Sequence, residues 1–284
     1  MKLKHIYTPI ARSCLLGLLS LSLAGCAIDF DALTGAKAAR ETIATQASAQ
    51  VRQALAPSGV LRVGVYLGSP TSWVKDPKSG ESVGIALDLG KELAKRLNVP
   101  VQVVEFDRVA QVLDALKDGK IDFTFTNATA VRAKDMDFTV PLVRLELGYL
   151  VAAGSTLQSV SEIDKAGLRV GVSQGSSSQG VLTQMYKQAK VIPADSLAKA
   201  KNMLETKQID AFATNKGILF EMSDTLPGSQ VLAGRWGLEN LAIAIPKGRD
   251  AGKEFVQSFA NNMAQSGLLS KVIVRSGLRG TAKD

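Results

Sequence analysis

The imidazole and thiol side chains of this protein, the groups most often used as catalytic bases, nucleophiles and zinc ligands, all lie within the first 26 residues. The 284-residue sequence contains one histidine, His5, and two cysteines, Cys14 and Cys26. Beyond residue 26 it therefore lacks the groups needed for Ser-His-Asp or Cys-His catalysis, for a Cys/His zinc site and for an intrachain disulfide. Carboxylate, lysine and tyrosine chemistry remains open to that part of the chain. We predict no metal and no cofactor.

A serine-rich segment has the composition of an anion-binding site. The segment Gln174–Ser177 follows a predicted strand and precedes a predicted helix. Serine is a favoured N-cap residue, and the free N–H groups at the start of a helix attract anions. Ser176 and Ser177 are therefore candidate ligand-binding residues. The alternative is that they only begin the helix, and the two roles are compatible.

Two parts of the sequence recur in the same order. The strand-like segment Leu61–Val65 is repeated letter for letter at Leu168–Val172. The segment Leu116–Asn127 is then echoed by Leu204–Asn215, and both of these end in Thr-Asn. Chance similarity between strand sequences could explain one such pair, whereas two pairs in order indicate two structurally similar α/β lobes.

The repeat places polar side chains at equivalent strand ends. Asn127 and Asn215 each follow a threonine at the end of a predicted strand. Ligands of parallel α/β sheets bind beyond the carboxyl ends of the strands, so we expect these two asparagines to face each other across a cleft. Asp122 and Asp210 occupy equivalent helix–strand junctions, and we interpret them as structural residues rather than ligand-binding ones.

The elements that carry these residues follow from hydrophobic spacing. Strands are predicted at Val60–Val65, Val101–Val104 and Ile121–Phe125. The apolar positions with helical spacing between them are Ile85, Leu89, Leu93 and Leu97, followed by Val109, Val112, Leu113 and Leu116. This βαβαβ order predicts a mostly parallel sheet covered by helices.

The N-terminus is typical of a signal peptide. Its first part carries Lys2, Lys4 and Arg12 without an acidic residue, and the apolar run Cys14–Gly25 follows. A membrane-spanning helix needs about 20 apolar residues, so this run is too short to span and fits a cleaved leader over residues 1–25. Cleavage would remove three basic residues and lower the formal net charge from +8 to +5.

The end of the leader resembles the lipobox of bacterial lipoproteins. In Leu23–Cys26, small residues precede the cysteine that such proteins lipidate. Two or more acyl chains on Cys26 would anchor the protein stably to a membrane. The alternative is an ordinary signal peptide with an incidental cysteine. Ala27 stands where an aspartate would resemble an inner-membrane retention signal, so outer-membrane sorting is favoured if the organism is Gram-negative.

Residues 26–57 are predicted to form a tether and a lead-in helix. This stretch is rich in Ala, Thr, Gln and Ser and has few large apolar groups. The helix is predicted within Ala39–Leu55, and Pro57 and Gly59 end it.

The positive charge of the chain is not arranged for nucleic-acid binding. Basic residues are interleaved with acidic ones, as in Lys91-Glu92 on a predicted helix. The sequence has no stripe of basic and aromatic residues that could stack bases and follow phosphates. We predict no nucleic-acid partner.

Several motifs occur together in one order along the chain. They are Leu61–Val65, Gly84–Leu89, Leu116–Asp122, Thr129–Arg132 followed by Met136–Pro141, Gln174–Ser177, Ile209–Ala211 and Ala242–Gly248. From about Pro57 to Gly277 the sequence thereby resembles the bacterial extracellular solute-binding proteins of family 3. These are the type 2 periplasmic binding proteins of polar amino acid ABC transporters.

The resemblance implies an α/β fold of two similar lobes joined by two hinge strands, which closes over a ligand. By this likeness the chain crosses to the second lobe near Gly148–Ala152 and returns near Leu238–Ile243. The first lobe would then comprise residues 58–147 and 241–284, and the second lobe residues 148–240.

The resemblance also implies which residues hold the ligand. The Thr129–Arg132 motif matches one whose arginine grips the carboxylate of the ligand, and a guanidinium can donate two parallel hydrogen bonds to that group. Ser176 and Ser177 match a position that binds the same carboxylate. Trp73 lies in the loop where relatives often stack an aromatic ring on the ligand. The alternatives are a surface arginine and a structural tryptophan.

Two departures from the family pattern concern the amino group of the ligand. Relatives that bind amino acids commonly have an aspartate where this chain has Asn215, and that aspartate pairs with the ammonium group of the ligand. The segment Asp122–Arg132 is about two residues shorter than in such relatives and contains Asn127. We therefore expect a small carboxylate ligand, an amino acid or a related organic acid, held by a weakened ammonium clamp.

The resulting expectation is a lipid-anchored, monomeric solute-binding protein of the periplasm or cell envelope. It would deliver its ligand to an ABC transporter permease and would not be an enzyme. One alternative is a periplasmic enzyme on the same scaffold, similar to cyclohexadienyl dehydratase, with a general acid among Asp88, Asp107, Asp210 and Glu221. Another is a sensory or assembly lipoprotein that binds no small ligand.

Overall fold

The computed structural model describes residues 47–282. Its strands are β1 Leu61–Tyr66, β2 Val74–Lys75, β3 Ser82–Val83, β4 Val101–Phe106, β5 Thr124–Asn127, β6 Met136–Phe138, β7 Val143–Val151, β8 Arg169–Ser173, β9 Lys190–Ala194, β10 Ala211–Asn215, β11 Gln230–Val231 and β12 Gly237–Pro246. Its α-helices are α1 Ala49–Leu55, α2 Ile85–Leu97, α3 Val109–Lys117, α4 Ser177–Met185, α5 Leu197–Glu205, α6 Lys216–Asp224, α7 Asp250–Gln265 and α8 Leu268–Arg275.

The predicted leader, the lipidation site Cys26 and most of the tether lie outside the described residues. Only the end of the predicted lead-in helix falls within them, as α1, which begins after the N-cap Ser48. Across the part of the chain that the structure describes, no helix combines the length and hydropathy needed to cross a membrane.

The structure has two lobes of α/β type. In the first lobe β1 and β4 pair in parallel, and a single bridge between Val63 and Phe123 extends this pairing towards β5. In the second lobe β8 pairs in parallel with both β9 and β10. Helices α2 and α3 pack on β1, and α5 packs on β8, as the predicted strand–helix alternation requires.

Two long strands join the lobes. Strand β7 pairs with β12 over Val143–Leu147 and with β10 over Leu147–Val151, while β12 also pairs with β5. The predicted crossings near Gly148–Ala152 and Leu238–Ile243 overlap the end of β7 and the first part of β12, respectively. The residue numbers at which each lobe begins and ends stay a prediction.

The parallel pairing predicted for the βαβαβ segment is confirmed by β1, β4 and the bridge to Phe123, whereas the strands that join the lobes pair antiparallel. Strands β7 and β12 pair antiparallel with each other and with β10 and β5, respectively. The physical reason is that one strand leaves the first lobe and the other returns to it. They therefore run in opposite directions where they lie side by side.

The segment that follows β12 packs into the core of the first lobe. Val256 and Phe259 of α7 and Leu269 of α8 belong to the same buried cluster as Leu89 and Leu93 of α2. Helix α2 begins and ends where its four-residue spacing predicted, and its apolar face is fully buried.

The repeated sequence forms the same ion pair in both lobes. In the first lobe, Arg62 Nη2 donates to Asp122 Oδ1 at 2.7 Å and Nε donates to Oδ2 at 2.8 Å. In the second lobe, Arg169 Nη2 donates to Asp210 Oδ1 at 2.8 Å and Nε donates to Oδ2 at 3.1 Å. Each arginine also donates its backbone N–H to the same carboxylate. These contacts agree with the interpretation of Asp122 and Asp210 as junction residues.

Candidate functional site

A cavity lies where the ends of β5, β10 and β12 meet. Five of the predicted ligand-binding residues line it: Asn127, Arg132, Ser176, Ser177 and Asn215. The polar lining also includes Thr126 and Thr214, the threonines of the Thr-Asn pairs that end the repeated segments. The polar lining that the sequence did not single out comprises Tyr66, Thr71, Ser173 and Glu239. Its volume of about 30 Å³ has room for one or two water molecules.

Arg132 reaches the cavity from a 3-10 turn, Arg132–Lys134, that follows β5. The Thr129 hydroxyl accepts the backbone N–H of Arg132 at 3.2 Å and so begins this turn. The guanidinium Nη1 donates to Thr126 Oγ1 at 2.9 Å and to the Asn127 carbonyl at 3.1 Å. Burial lowers the pKa of the Arg132 guanidinium, and the negative charge of Glu239 opposes this effect. Thr129 itself positions the arginine rather than lining the cavity.

Ser176 and Ser177, for which the sequence left open helix capping and ligand binding, make different contacts in the structure. Ser176 is the N-cap of α4, and its hydroxyl accepts the backbone N–H of Gln179 at 3.1 Å. The Ser177 hydroxyl accepts from Asn127 Nδ2 at 3.2 Å and donates to Glu239 Oε1 at 3.0 Å. Ser177 is therefore the serine whose hydroxyl connects the two lobes across the cavity.

The two asparagines of the repeat lie in the same cavity, and both amides are hydrogen-bonded on both sides. Asn127 Oδ1 accepts the backbone N–H of Asn240 at 2.9 Å. Asn215 is the N-cap of α6, where its Oδ1 accepts from the Ile218 N–H at 3.1 Å. Its Nδ2 donates to Glu239 Oε2 at 3.0 Å.

Glu239 is the charged cavity residue that the sequence did not predict. It lies on β12, is only 8% exposed and accepts hydrogen bonds from Ser177 and Asn215. Burial raises the pKa of its carboxyl group, and Arg132 and these two hydrogen bonds partly oppose the rise. No local motif marks this residue in the sequence, where Asn240 separates Glu239 from the apolar part of the predicted return strand.

Trp73 lies away from the cavity lining. Its side chain is buried in the core of the first lobe, and Lys75 Nζ lies 5.4 Å from the ring centroid. Among the described residues its indole Nε1 has no hydrogen-bond partner. The aromatic residues that line the cavity are Tyr66 and Phe125, so the prediction that Trp73 stacks on a ligand gains no support from this geometry.

The carboxylates considered for an enzyme are placed outside this cavity in the described part of the chain. Asp210 is held by Arg169, and Asp88 is buried in α2 with Arg275 Nη1 at 3.5 Å. Asp107 and Glu221 line a separate groove between the lobes. Within residues 47–282 no group of three or more Asp, Glu, His or Cys side chains is arranged to hold a metal ion.

Comparison with known proteins places this site in a family. Residues 61–275 match the sequence model of the bacterial extracellular solute-binding proteins, family 3. The ABC transporter glutamine-binding protein GlnH of Bacillus subtilis (strain 168) is 25% identical over 245 residues, which cover 85% of this chain and 89% of that protein.

Two solved structures are similar in fold and sequence. An ancestral arginine-binding protein bound to glutamine gives a TM-score of 0.67 at 28% identity, covering 75% of this chain and 96% of that one. The ancestral amino acid-binding protein AncCDT-1, a precursor of cyclohexadienyl dehydratase, gives a TM-score of 0.68 at 25% identity, covering 80% of this chain and 98% of that one. The family match over residues 61–275 includes the repeated strands, both hinge strands and the residues that line the cavity. The chain belongs to the bacterial extracellular solute-binding proteins of family 3.

Proposed function

We propose that this protein captures a small solute with a carboxylate group, an amino acid or a related organic acid, in the cavity between its lobes. It then delivers the solute to the permease of an ABC transporter. The observation that carries the proposal is the Arg132 guanidinium in the cavity. Its hydrogen bonds to residues within 47–282 all come from Nη1, which leaves Nε and Nη2 as a fork for a carboxylate.

The lobes have to separate for a solute to enter. A cavity volume of about 30 Å³ holds water but no amino acid, and the Asn127–Ser177 hydrogen bond closes the cavity between the lobes. Hinge motion about two strands is a common way for two-lobed proteins to close around a ligand. Strands β7 and β12 are the continuous connections available for such a motion.

The experiment that tests this function is mass spectrometry of the solute that co-purifies with the protein. Purified protein is analysed first in its native state and then after denaturation, so that a released small molecule can be identified. We expect a carboxylate-containing compound in roughly one-to-one ratio. Reproducible recovery of a bound solute that has no carboxylate would contradict the proposal.

The second candidate is an eliminating enzyme on the same scaffold. The observation that favours it is the buried carboxyl group of Glu239 in the cavity. The similar AncCDT-1 is itself an amino acid-binding protein, named as a precursor of such an enzyme. A carboxyl group with a raised pKa is suited to act as a general acid. Incubation of the protein with the co-purified solute separates the two functions. A binding protein returns the solute intact, and an enzyme converts it.

We also propose that the mature protein is held at a membrane through acyl chains on Cys26, after removal of residues 1–25. The support is the leader itself, with its basic start, its short apolar run and its small residues before the cysteine. Two or more chains give stable anchoring, which would keep a receptor close to its permease. The protein would act there as a monomer, in the periplasm or cell envelope.

A further inference from the structure

We propose that Glu239 binds the cationic group of the solute, so that the site selects zwitterions such as amino acids over acids that lack the amine. This inference rests on the proposed function and names the class of solute. It reverses the expectation, drawn from Asn215, of a site with a weakened ammonium clamp.

The Glu239 carboxylate has unused hydrogen-bonding capacity inside the cavity. Its Oε1 accepts from Ser177 and its Oε2 accepts from Asn215, each at 3.0 Å. A carboxylate can accept about four hydrogen bonds, so each oxygen keeps a free acceptor position. Both present donors are neutral. An ammonium group would therefore add the charge that this buried carboxylate does not receive from its direct partners.

The geometry of Asn215 explains why the negative charge lies on β12. Its Oδ1 caps α6, so its Nδ2 is the atom left to point at Glu239. Asn215 Nδ2 lies 3.0 Å from Glu239 Oε2. An aspartate at position 215 would place a second carboxylate at about that distance from Glu239, and two like charges so close are unfavourable. Positions 215 and 239 thus act together, and they carry one negative charge between them.

The charged side chains of the cavity match the two ends of a zwitterion. Within the described lining, Arg132 and Glu239 are the ionisable residues of opposite charge. They influence each other through space, and no hydrogen bond joins them in the described structure. A solute with a carboxylate and an amine would pair with both. A simple carboxylate would pair with Arg132 and bring a second negative charge towards Glu239.

The test is isothermal titration calorimetry of the purified protein with matched probes. One set is the twenty standard L-amino acids, and the other consists of the same molecules without the α-amine, such as glutaramic acid for glutamine. We expect at least one amino acid to bind and its partner without the amine to bind at least about 30-fold more weakly. This factor corresponds to the lower end of the cost of unpairing a buried charge.

Variants then assign the preference to one residue. Glu239→Gln should weaken amino acid binding by at least about 30-fold and leave the acid without the amine within a few-fold of its wild-type affinity. The exchange Asn215→Asp with Glu239→Gln restores one negative charge and should recover part of the lost affinity. Glu254→Gln, at an exposed position of α7, is the control and should leave both affinities unchanged.

Each outcome separates this inference from the function on which it rests. Acids without the amine that bind as tightly as amino acids would overturn the role of Glu239 and leave carboxylate capture standing. An equal loss for both probes in Glu239→Gln would also overturn it, because that pattern indicates a structural role. If neither set binds, the inference about Glu239 falls, and the identity of the co-purified solute decides whether carboxylate capture stands. If Glu239→Gln does not fold, the comparison of probes on the wild-type protein still decides.

Discussion

One aspartate at a helix–strand junction of each lobe, Asp122 or Asp210, binds an arginine of the first strand of that lobe. The side chain of Arg169 donates two hydrogen bonds to Asp210, and its backbone N–H donates a third. These bonds hold the pKa of Asp210 below its ordinary value. A carboxyl group whose pKa is lower in the folded state stabilises that state above its unfolded pKa, near 3.9, and loses this effect as the pH falls.

We predict that Asp210→Asn lowers the free energy of unfolding by about 1 kcal/mol at pH 7, a modest loss because the pair is partly open to water. The difference from wild type should shrink as the pH falls below about 4, where the aspartate of the wild type becomes protonated as well. Urea unfolding of both proteins at pH 7 and at pH 3 measures this difference in the free energy of unfolding. Asp107→Asn, at an exposed position, is the control. A difference that stays constant with pH would show that the charge of Asp210 is irrelevant.

Five residues of the cavity lining could be predicted from the sequence because each stands in a local motif. Arg132 follows Thr129 by three residues, Ser177 follows a strand and begins a helix, and Asn215 ends a repeated segment. Glu239 has no such local context. Its burial depends on the pairing of β12 with β7 and on contacts with Ser177 and Asn215, which lie 62 and 24 residues away in sequence.

At the scale of elements, one glycine fixes how α2 starts against the loop before it. A Cβ atom added to Gly84 would lie 2.2 Å from the Ser72 carbonyl oxygen and 2.6 Å from Trp73 Cα. These are backbone atoms that cannot move aside as a flexible side chain could. The Ser72 hydroxyl in turn accepts the backbone N–H of Tyr66, at the end of β1 beside the cavity.

We therefore predict that Gly84→Ala lowers the free energy of unfolding by about 3 kcal/mol, the upper range for overpacking a well-packed site. The matched control is Gly180→Ala in α4, where an added Cβ meets nothing within 4 Å. That change should be neutral or stabilise by up to about 1 kcal/mol, because alanine has the higher helix propensity. Urea unfolding of both variants measures this. Similar effects at the two sites would contradict the packing argument.

Helices were predicted more accurately than strand pairing. The bounds of α2 and α3 follow from apolar residues on one face, which is a local property of each segment. Strand β5 instead begins at Thr124, three residues after the predicted Ile121, because Phe123 forms only an isolated bridge to Val63. The antiparallel pairing of β7 with β12 depends on chain direction between lobes, which periodicity does not record.

At the scale of the whole molecule, the proposed anchor and the cavity serve one purpose. The proposed anchor would keep the protein at the membrane, and the cavity would collect a solute there. We predict that Cys26→Ser moves the protein from the membrane fraction to the soluble fraction, because the acyl chains are lost. Cys14→Ser is the control, since Cys14 lies in the predicted leader, and it should leave the protein in the membrane fraction. Identical fractionation of the two variants would refute the anchor.

The central claim is that Arg132 holds the carboxylate of the solute. The most direct test is thermal unfolding of wild type and Arg132→Ala with each L-amino acid in turn. A ligand at 100 times its Kd should stabilise the wild type by about 2.7 kcal/mol. We predict that this stabilisation disappears in Arg132→Ala, which should still unfold cooperatively, and persists in Lys134→Ala on the same turn. Unchanged stabilisation of Arg132→Ala would contradict the account.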